Sequence, residues 1–224
     1  MSTVRRTRGA ALLAALTAVA VLTGCTSDEE PDGPEGSRAP VVQLGAPGED
    51  NTTLSPEEAE AIEGPGFTDA DVAFVQGMIP HHGQALEMTA LVPARSAQKG
   101  IKLLARRIEI SQEAEIAQIR RWLLARGEAV PKQHQAGGGH GALMPGMLTD
   151  AELERLEAAK GAEFDRLFLT FMIRHHEGAL KMVADLRSSD GGGESEIDAF
   201  ARHVDADQQI EIGRMRETLQ QLPR

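Results

Sequence analysis

The sequence predicts an all-α protein: a four-helix bundle of one domain, built from two repeated helical hairpins, each preceded by a short helix. Three observations carry that expectation. The segment Phe74 to Met88, FVQGMIPHHGQALEM, returns 94 residues later as Phe168 to Met182, FLTFMIRHHEGALKM, so the chain holds one unit twice. Its long segments follow the helical period, with Ile101, Leu104, Ala105, Ile108, Gln112, Glu115, Ile119 and Trp122 recurring at three- and four-residue steps. Strand signals are weak, since there is no Tyr and little period-two alternation. Two hairpins that each expose one apolar face bury it most simply against each other.

The chain opens with Arg5, Arg6 and Arg8, an uncharged run from Gly9 to Leu22, and then Leu22-Thr23-Gly24-Cys25. This is the three-part layout of a secretory signal, with an apolar run too short to span a bilayer as an anchor. A small-residue site ending in cysteine resembles the lipobox of bacterial lipoproteins. That resemblance implies loss of residues 1–24 and a lipid on Cys25, anchoring the protein to the outer face of the cytoplasmic membrane. Cys25 is the single cysteine, which excludes an internal disulfide and a thiolate metal cluster. Without residues 1–24 the chain keeps 20 basic against 34 acidic residues, a formal charge of −14. Nucleic acid and anionic headgroups are therefore poor partners, and the membrane is a partner only through the lipid. Residues 25–53 are rich in Pro, Gly and acids and read as a flexible tether.

The helical domain spans 54–222, with repeats at 55–127 and 149–222. Ser55-x-x-Glu58 and Thr149-x-x-Glu152 are capping boxes that each start a short helix. In the long helix that follows, Asp71 aligns with Asp165, Phe74 with Phe168, Met78 with Met172, Ala85 with Ala179 and Met88 with Met182. Downstream the offset becomes 96, aligning Gln112-x-x-Glu115-Ile116 with Gln208-x-x-Glu211-Ile212. The two-residue slip is assigned to the hairpin loops, where length is cheap to change. Pro80 lies inside the first histidine helix, where it can kink the chain, and its counterpart is Arg174, so the halves are not fully equivalent. Residues 128–148 form a glycine-rich crossover carrying His134, His140, Met144 and Met147. A loose metal-collecting arm and an ordinary crossover account for these four equally well.

At about 100° per residue, with Met78 at zero, His81 falls near −60° and His82 near +40°. They straddle the stripe of Phe74, Val75, Ala85 and Met88, and the same rotation places His175 and His176 beside Phe168, Met172, Ala179 and Met182. Gln112 with Glu115, and Gln208 with Glu211, lie among inward-facing aliphatics. The middle of the bundle should thus hold a polar layer of four His, two Gln and two Glu, flanked by methionine sulfur. Buried polar groups need partners, so this layer either hydrogen-bonds internally or holds something.

Bundles that hold two iron or manganese ions use Glu-x-x-His, which is absent here; Met-x-x-His occurs twice instead, at Met78 to His81 and Met172 to His175. Replacing carboxylate by thioether shifts preference to soft Cu(I) or Ag(I), and imidazole accepts either copper state. Thioether needs no deprotonation before binding and survives an oxidising compartment better than thiolate. The expected cofactor is copper, Cu(I) favoured over Ag(I) or Cu(II). The expected ligands are Met78, His81, His82, Met88, Met172, His175, His176 and Met182, with Gln112, Glu115, Gln208 and Glu211 supporting the imidazoles. Two rivals stand beside this: a purely structural His–Glu–Gln network, and a bound haem held by axial His or Met. The absence of Cys-x-x-Cys-His excludes covalent haem. No catalytic constellation is recognisable, so no enzyme activity is expected. His203 has no counterpart in the first repeat and reads as structural or surface.

The paired Met-Ile-x-His-His-x-x-Ala-x-x-Met motif, the Gln-x-x-Glu-Ile segments and Met147-Leu-Thr-Asp-Ala-Glu-Leu153 resemble the bacterial family of domain of unknown function 305 (DUF 305) over nearly all of residues 54–222. The resemblance implies a ferritin-like bundle, usually exported, with some members linked to periplasmic copper binding and tolerance. It carries the same four histidines and four methionines over as candidate ligands. The expected role is copper buffering or tolerance outside the cytoplasm; a protein partner stays unassigned.

Overall fold

The computed structural model describes residues 41–43, 48–55, 57–58, 64–133 and 143–223. Cys25, His134 and His140 lie outside the described residues. The elements are β1 (Val41–Gln43), β2 (Thr52–Leu54), α1 (Asp69–Arg95), α2 (Lys99–Ala125), α3 (Asp150–Ala158), α4 (Gly161–Arg187) and α5 (Ser195–Gln221). The all-α bundle expected from the repeat is the observed architecture, with four long helices of 27 residues each.

At the end of the stretch read as a flexible tether, β1 and β2 pair antiparallel, Val41 opposite Leu54 and Gln43 opposite Thr52. Two valines and two threonines favour a pleated strand, and Gly48 supplies a positive φ of 98° before β2. Three-residue strands are too short to show alternation amid so many acids, prolines and glycines. This hairpin belongs to a compact unit separate from the helical one that starts at Glu60. The first capping box is formed, Ser55 N–H donating to Glu58 Oε2 at 2.8 Å and Glu58 N–H to Ser55 Oγ at 3.2 Å. The short helix expected after it falls mostly outside the described residues.

In the helical unit, α1 packs on α2, α4 on α5, and α1 on α4. The first His-bearing helix, α1, follows a local start signal, whereas α4 starts after Lys160 without a side-chain cap. Thr68 caps α1 in a reciprocal box with Asp71, and Thr149 caps α3 with Glu152. The hairpin loops span residues 96–98 and 188–194, so the second repeat carries the longer one. Asp71 reaches that loop, its Oδ1 accepting the Gly192 N–H at 2.6 Å. Glu194 caps α5 and accepts from Trp122 Nε1 at 3.2 Å, which ties the start of α5 to α2. Pro80 does not interrupt α1, which runs unbroken through both Pro80 and Pro93. The inequivalence appears in Arg174 instead, which grips Glu152 of α3 through two hydrogen bonds of 2.6 and 2.9 Å.

The apolar core forms two clusters, one on each side of the histidines along α1 and α4. One gathers Ala85, Met88, Phe164, Phe168, Met172 and Met215; the other gathers Phe74, Met78, Ile119, Trp122, Ala179 and Phe200. Each Met, Ile or Phe side chain among them contributes about 1.5–3 kcal/mol on full burial, so the polar layer is clamped between two stabilising blocks.

The crossover is seated on the histidine helices by close backbone approach. A Cβ added to Gly178 would lie 1.9 Å from the Pro145 carbonyl oxygen, and one added to Gly83 would lie 2.1 Å from that of Gln133. Gly178→Ala should therefore cost about 1–3 kcal/mol, the scale of overpacking. Gly213→Ala, at an open position of α5 with nothing within 4 Å, should gain roughly 0.5–1 kcal/mol from helix propensity. Urea unfolding of the two variants checks the opposite signs; equal effects would remove the seating argument.

Candidate metal centre

His81 and His82 on α1, and His175 and His176 on α4, have no exposed surface. The His81 and His175 rings lie with centroids 3.9 Å apart, while the neighbours within each pair are 6.2 Å apart. The layer expected from helical rotation is thus assembled.

Each of the four imidazoles spends its Nε2 on an oxygen. His81 Nε2 lies 3.0 Å from the Pro145 carbonyl oxygen and His175 Nε2 lies 3.0 Å from the His81 carbonyl oxygen. A carbonyl can only accept, so both Nε2 atoms carry the proton. His176 Nε2 hydrogen-bonds Glu211 Oε2 at 2.7 Å. His82 Nε2 sits 2.6 Å from Glu115 Oε2, a close contact bent away from ideal hydrogen-bond geometry. The four Nδ1 atoms find no protein partner among the described residues. Burial drives the pKa of His81 down to about 3 and that of His175 well below the ordinary imidazole value, with the neighbouring histidines adding to the effect. Those two rings are therefore neutral at physiological pH, each with a lone pair on Nδ1.

Burial alone would raise the Glu115 pKa, but His82, His203 and Ser111 outweigh it and keep the carboxylate ionised. Gln112 and Gln208 are buried in the same region; Gln112 Oε1 and both amide atoms of Gln208 also lack a partner among the described residues. A self-contained His–Glu–Gln network would close these groups on one another. Each buried polar atom left unpaired costs about 1–3 kcal/mol, so the layer as built suits an added electron-pair acceptor. Metal-bound histidines typically donate their second ring N–H to a carboxylate or a backbone carbonyl, which is the arrangement of His81, His175 and His176, with His82 in close contact with its carboxylate.

The methionines flank this layer in two pairs drawn from both repeats. Met88 and Met172 are in one apolar cluster, while Met78 is in the other with Met182 packed against it. Met182 is the only one of the four that is not fully buried. Met144 of the crossover approaches the same side, since its Sδ and the Met182 Cε would each lie 3.3 Å from a Cβ on Gly77. Met147 is half-buried in the turn that follows, its N–H donating to the Met144 carbonyl.

Sequence reasoning missed three features. The Pro145 carbonyl is invisible to side-chain patterns. Gln84, off the predicted stripe, holds the crossover by accepting the Leu148 N–H at 2.7 Å and donating to its carbonyl at 3.0 Å. His203 is half exposed yet reaches Glu115 at 3.6 Å; its four-residue spacing to Asp207 was the available signal.

The family described as Domain of unknown function (DUF305) matches residues 71–219. Among solved structures the chain is similar to a DUF305 fragment from Deinococcus radiodurans, 32% identical, covering 70% of this chain and 100% of that one, with a TM-score of 0.62. A DUF305 protein of Streptomyces coelicolor classed as secreted is 28% identical over 67% of this chain and 91% of that one, with a TM-score of 0.58. CopM in its Cu(II)-bound form is 29% identical over 67% of this chain and 95% of that one, with a TM-score of 0.56. The same protein is known in Cu(I)-bound and Ag-bound forms. No curated protein matches the chain.

The neutral imidazoles give a pH dependence of defined sign. An unfolded histidine titrates near about 6.5, whereas His81 in the fold titrates near about 3. Between these values the unfolded chain holds more protons, so stability falls as pH falls. Urea midpoints measured without metal should drop from pH 7 to pH 5, and the double variant His81→Gln/His175→Gln should show a shallower drop. An unchanged slope would contradict the assignment of neutral rings.

Proposed function

The chain belongs to the DUF305 family, and from that membership and the geometry of the histidine layer we propose that it binds copper outside the cytoplasm. Cu(I) is the favoured ion, with Ag(I) and Cu(II) accepted, and the role is copper buffering or tolerance. One observation carries the reading: four buried histidines whose Nε2 atoms are tied to oxygen while their Nδ1 atoms have no partner among the described residues.

His81, His82, His175 and His176 supply imidazole nitrogen, and Met78, Met88, Met172 and Met182 supply thioether from both sides. Copper bound there contributes a soft Lewis acid that accepts both donor types. The protein's part is to hold the rings: Glu115 and Glu211 orient His82 and His176, and the Pro145 and His81 carbonyls fix the tautomers of His81 and His175. Met144 and Met182, at the less buried side, are suited to first capture. Support comes also from CopM, a relative of the same fold with copper-bound and silver-bound forms.

The structural-network rival is disfavoured by the unpartnered Nδ1 and Gln208 atoms. A haem between the inner histidines is disfavoured because the His81 and His175 rings are in van der Waals contact. Extracytoplasmic placement is supported by the secreted relative and by the signal-like start of the chain; a lipid on Cys25 would hold it at the membrane. The site carries an ion and performs no reaction on a substrate.

Titration with Cu(I) under reducing conditions against a chromophoric chelator tests the proposal. Retention of one or two equivalents is expected, with His81→Ala/His175→Ala weakening it by about 100-fold or more, beyond the loss from removing a supporting group, at unchanged helical content. Equal retention by wild type and variant would remove the site.

A further inference from the structure

We propose that Glu115, His203 and Asp207 form a second metal site, for a borderline divalent cation such as Zn(II) or Cu(II), at the solvent side of the histidine layer. α2 brings Glu115, and α5 brings His203 and Asp207 one helical turn apart. One ligand atom from each residue lies within 4.8 Å of the others. His203 Nε2 is 3.6 Å from Glu115 Oε1 and 3.4 Å from Asp207 Oδ2. These separations are long for direct hydrogen bonds. They match the edge of a tetrahedron, since ligand atoms about 2.1 Å from a tetrahedral ion stand about 3.4 Å apart.

The donor set is one imidazole and two carboxylates. It favours Zn(II) and Cu(II) over soft Cu(I), because it contains no sulfur and two hard oxygens. Glu115 is only 3% exposed, so its carboxylate is a fixed ligand, whereas His203 is 53% and Asp207 41% exposed. That exposure leaves one side open for water as a fourth ligand.

The second repeat supplies an internal contrast. At the 96-residue offset His203 and Asp207 correspond to Arg107 and Ser111, which cannot complete such a set beside Glu211. The site beside Glu115 therefore has no symmetry mate beside Glu211, which gives the unmatched histidine a role. Glu115 is shared: its Oε2 faces His82 and its Oε1 faces His203. An ion at the outer site would thus draw on the carboxylate that orients an inner imidazole.

The test is a Zn(II) titration of the purified protein against a fluorescent zinc chelator, with wild type, His203→Ala, Asp207→Asn and His81→Ala/His175→Ala compared. Because His203 and Asp207 are exposed, their substitution leaves the core intact. Wild type should hold one equivalent that weakens by about 100-fold in His203→Ala, at or above the scale for altering a site's supporting groups, and that also weakens in Asp207→Asn. The inner double variant should retain it, and His203→Ala should keep its Cu(I) retention. Zn(II) binding that is absent in wild type, unchanged in His203→Ala, or lost only in the inner double variant would overturn the proposal. Failure of the Cu(I) titration would leave this result standing, so the two readings fail separately.

Discussion

The centre of this bundle depends on how the Nε2 sides of four buried imidazoles are held. Two point to backbone carbonyls and two to buried carboxylates, and that choice fixes where every remaining lone pair can be. A domain is stable by only about 5–15 kcal/mol, while four unpaired buried ring nitrogens at about 1–3 kcal/mol each approach that whole sum. The two apolar clusters on either side make the layer tolerable. A ligand that bound these nitrogens would return the lost free energy on binding.

The duplication explains what is symmetric and what is not. His82 with Glu115 and His176 with Glu211 are repeat-related pairs, and the methionines are shared between the repeats, one from each on either side. The inner histidines break the symmetry, because His81 uses the Pro145 carbonyl of a crossover that occurs once. Gly83 and Gly178 let that crossover lie directly on α1 and α4, and Gln84 clasps Leu148 from both backbone sides. The crossover is in this way part of the site: it fixes one tautomer and brings Met144 beside Met182.

Much of this was legible in the sequence because the helical period is a strict geometric rule. A rotation of about 100° per residue suffices to place His81, His82, His175 and His176 inward, and the repeat register pairs Glu115 with Glu211. The capping boxes at Thr149 and Ser55 were equally visible, since they depend on adjacent residues. The rest depends on long-range approach. No side-chain pattern reports that the Pro145 carbonyl meets His81, or that a proline at position 80 is absorbed without breaking α1. The strands at Val41 and Thr52 are too short to overcome their surroundings. His203 is the surface residue the sequence suggests, and no repeat alignment reports that it stands 3.6 Å from Glu115 of α2.

The tautomers of the buried histidines are read most directly by long-range nitrogen–proton NMR of the side chains in nitrogen-15-labelled protein, with and without Cu(I). His81 and His175 are expected as neutral rings protonated at Nε2, with an unprotonated Nδ1 whose resonance shifts when Cu(I) is added. Rings protonated at Nδ1, or Nδ1 resonances that stay in place at saturating Cu(I), would contradict that assignment.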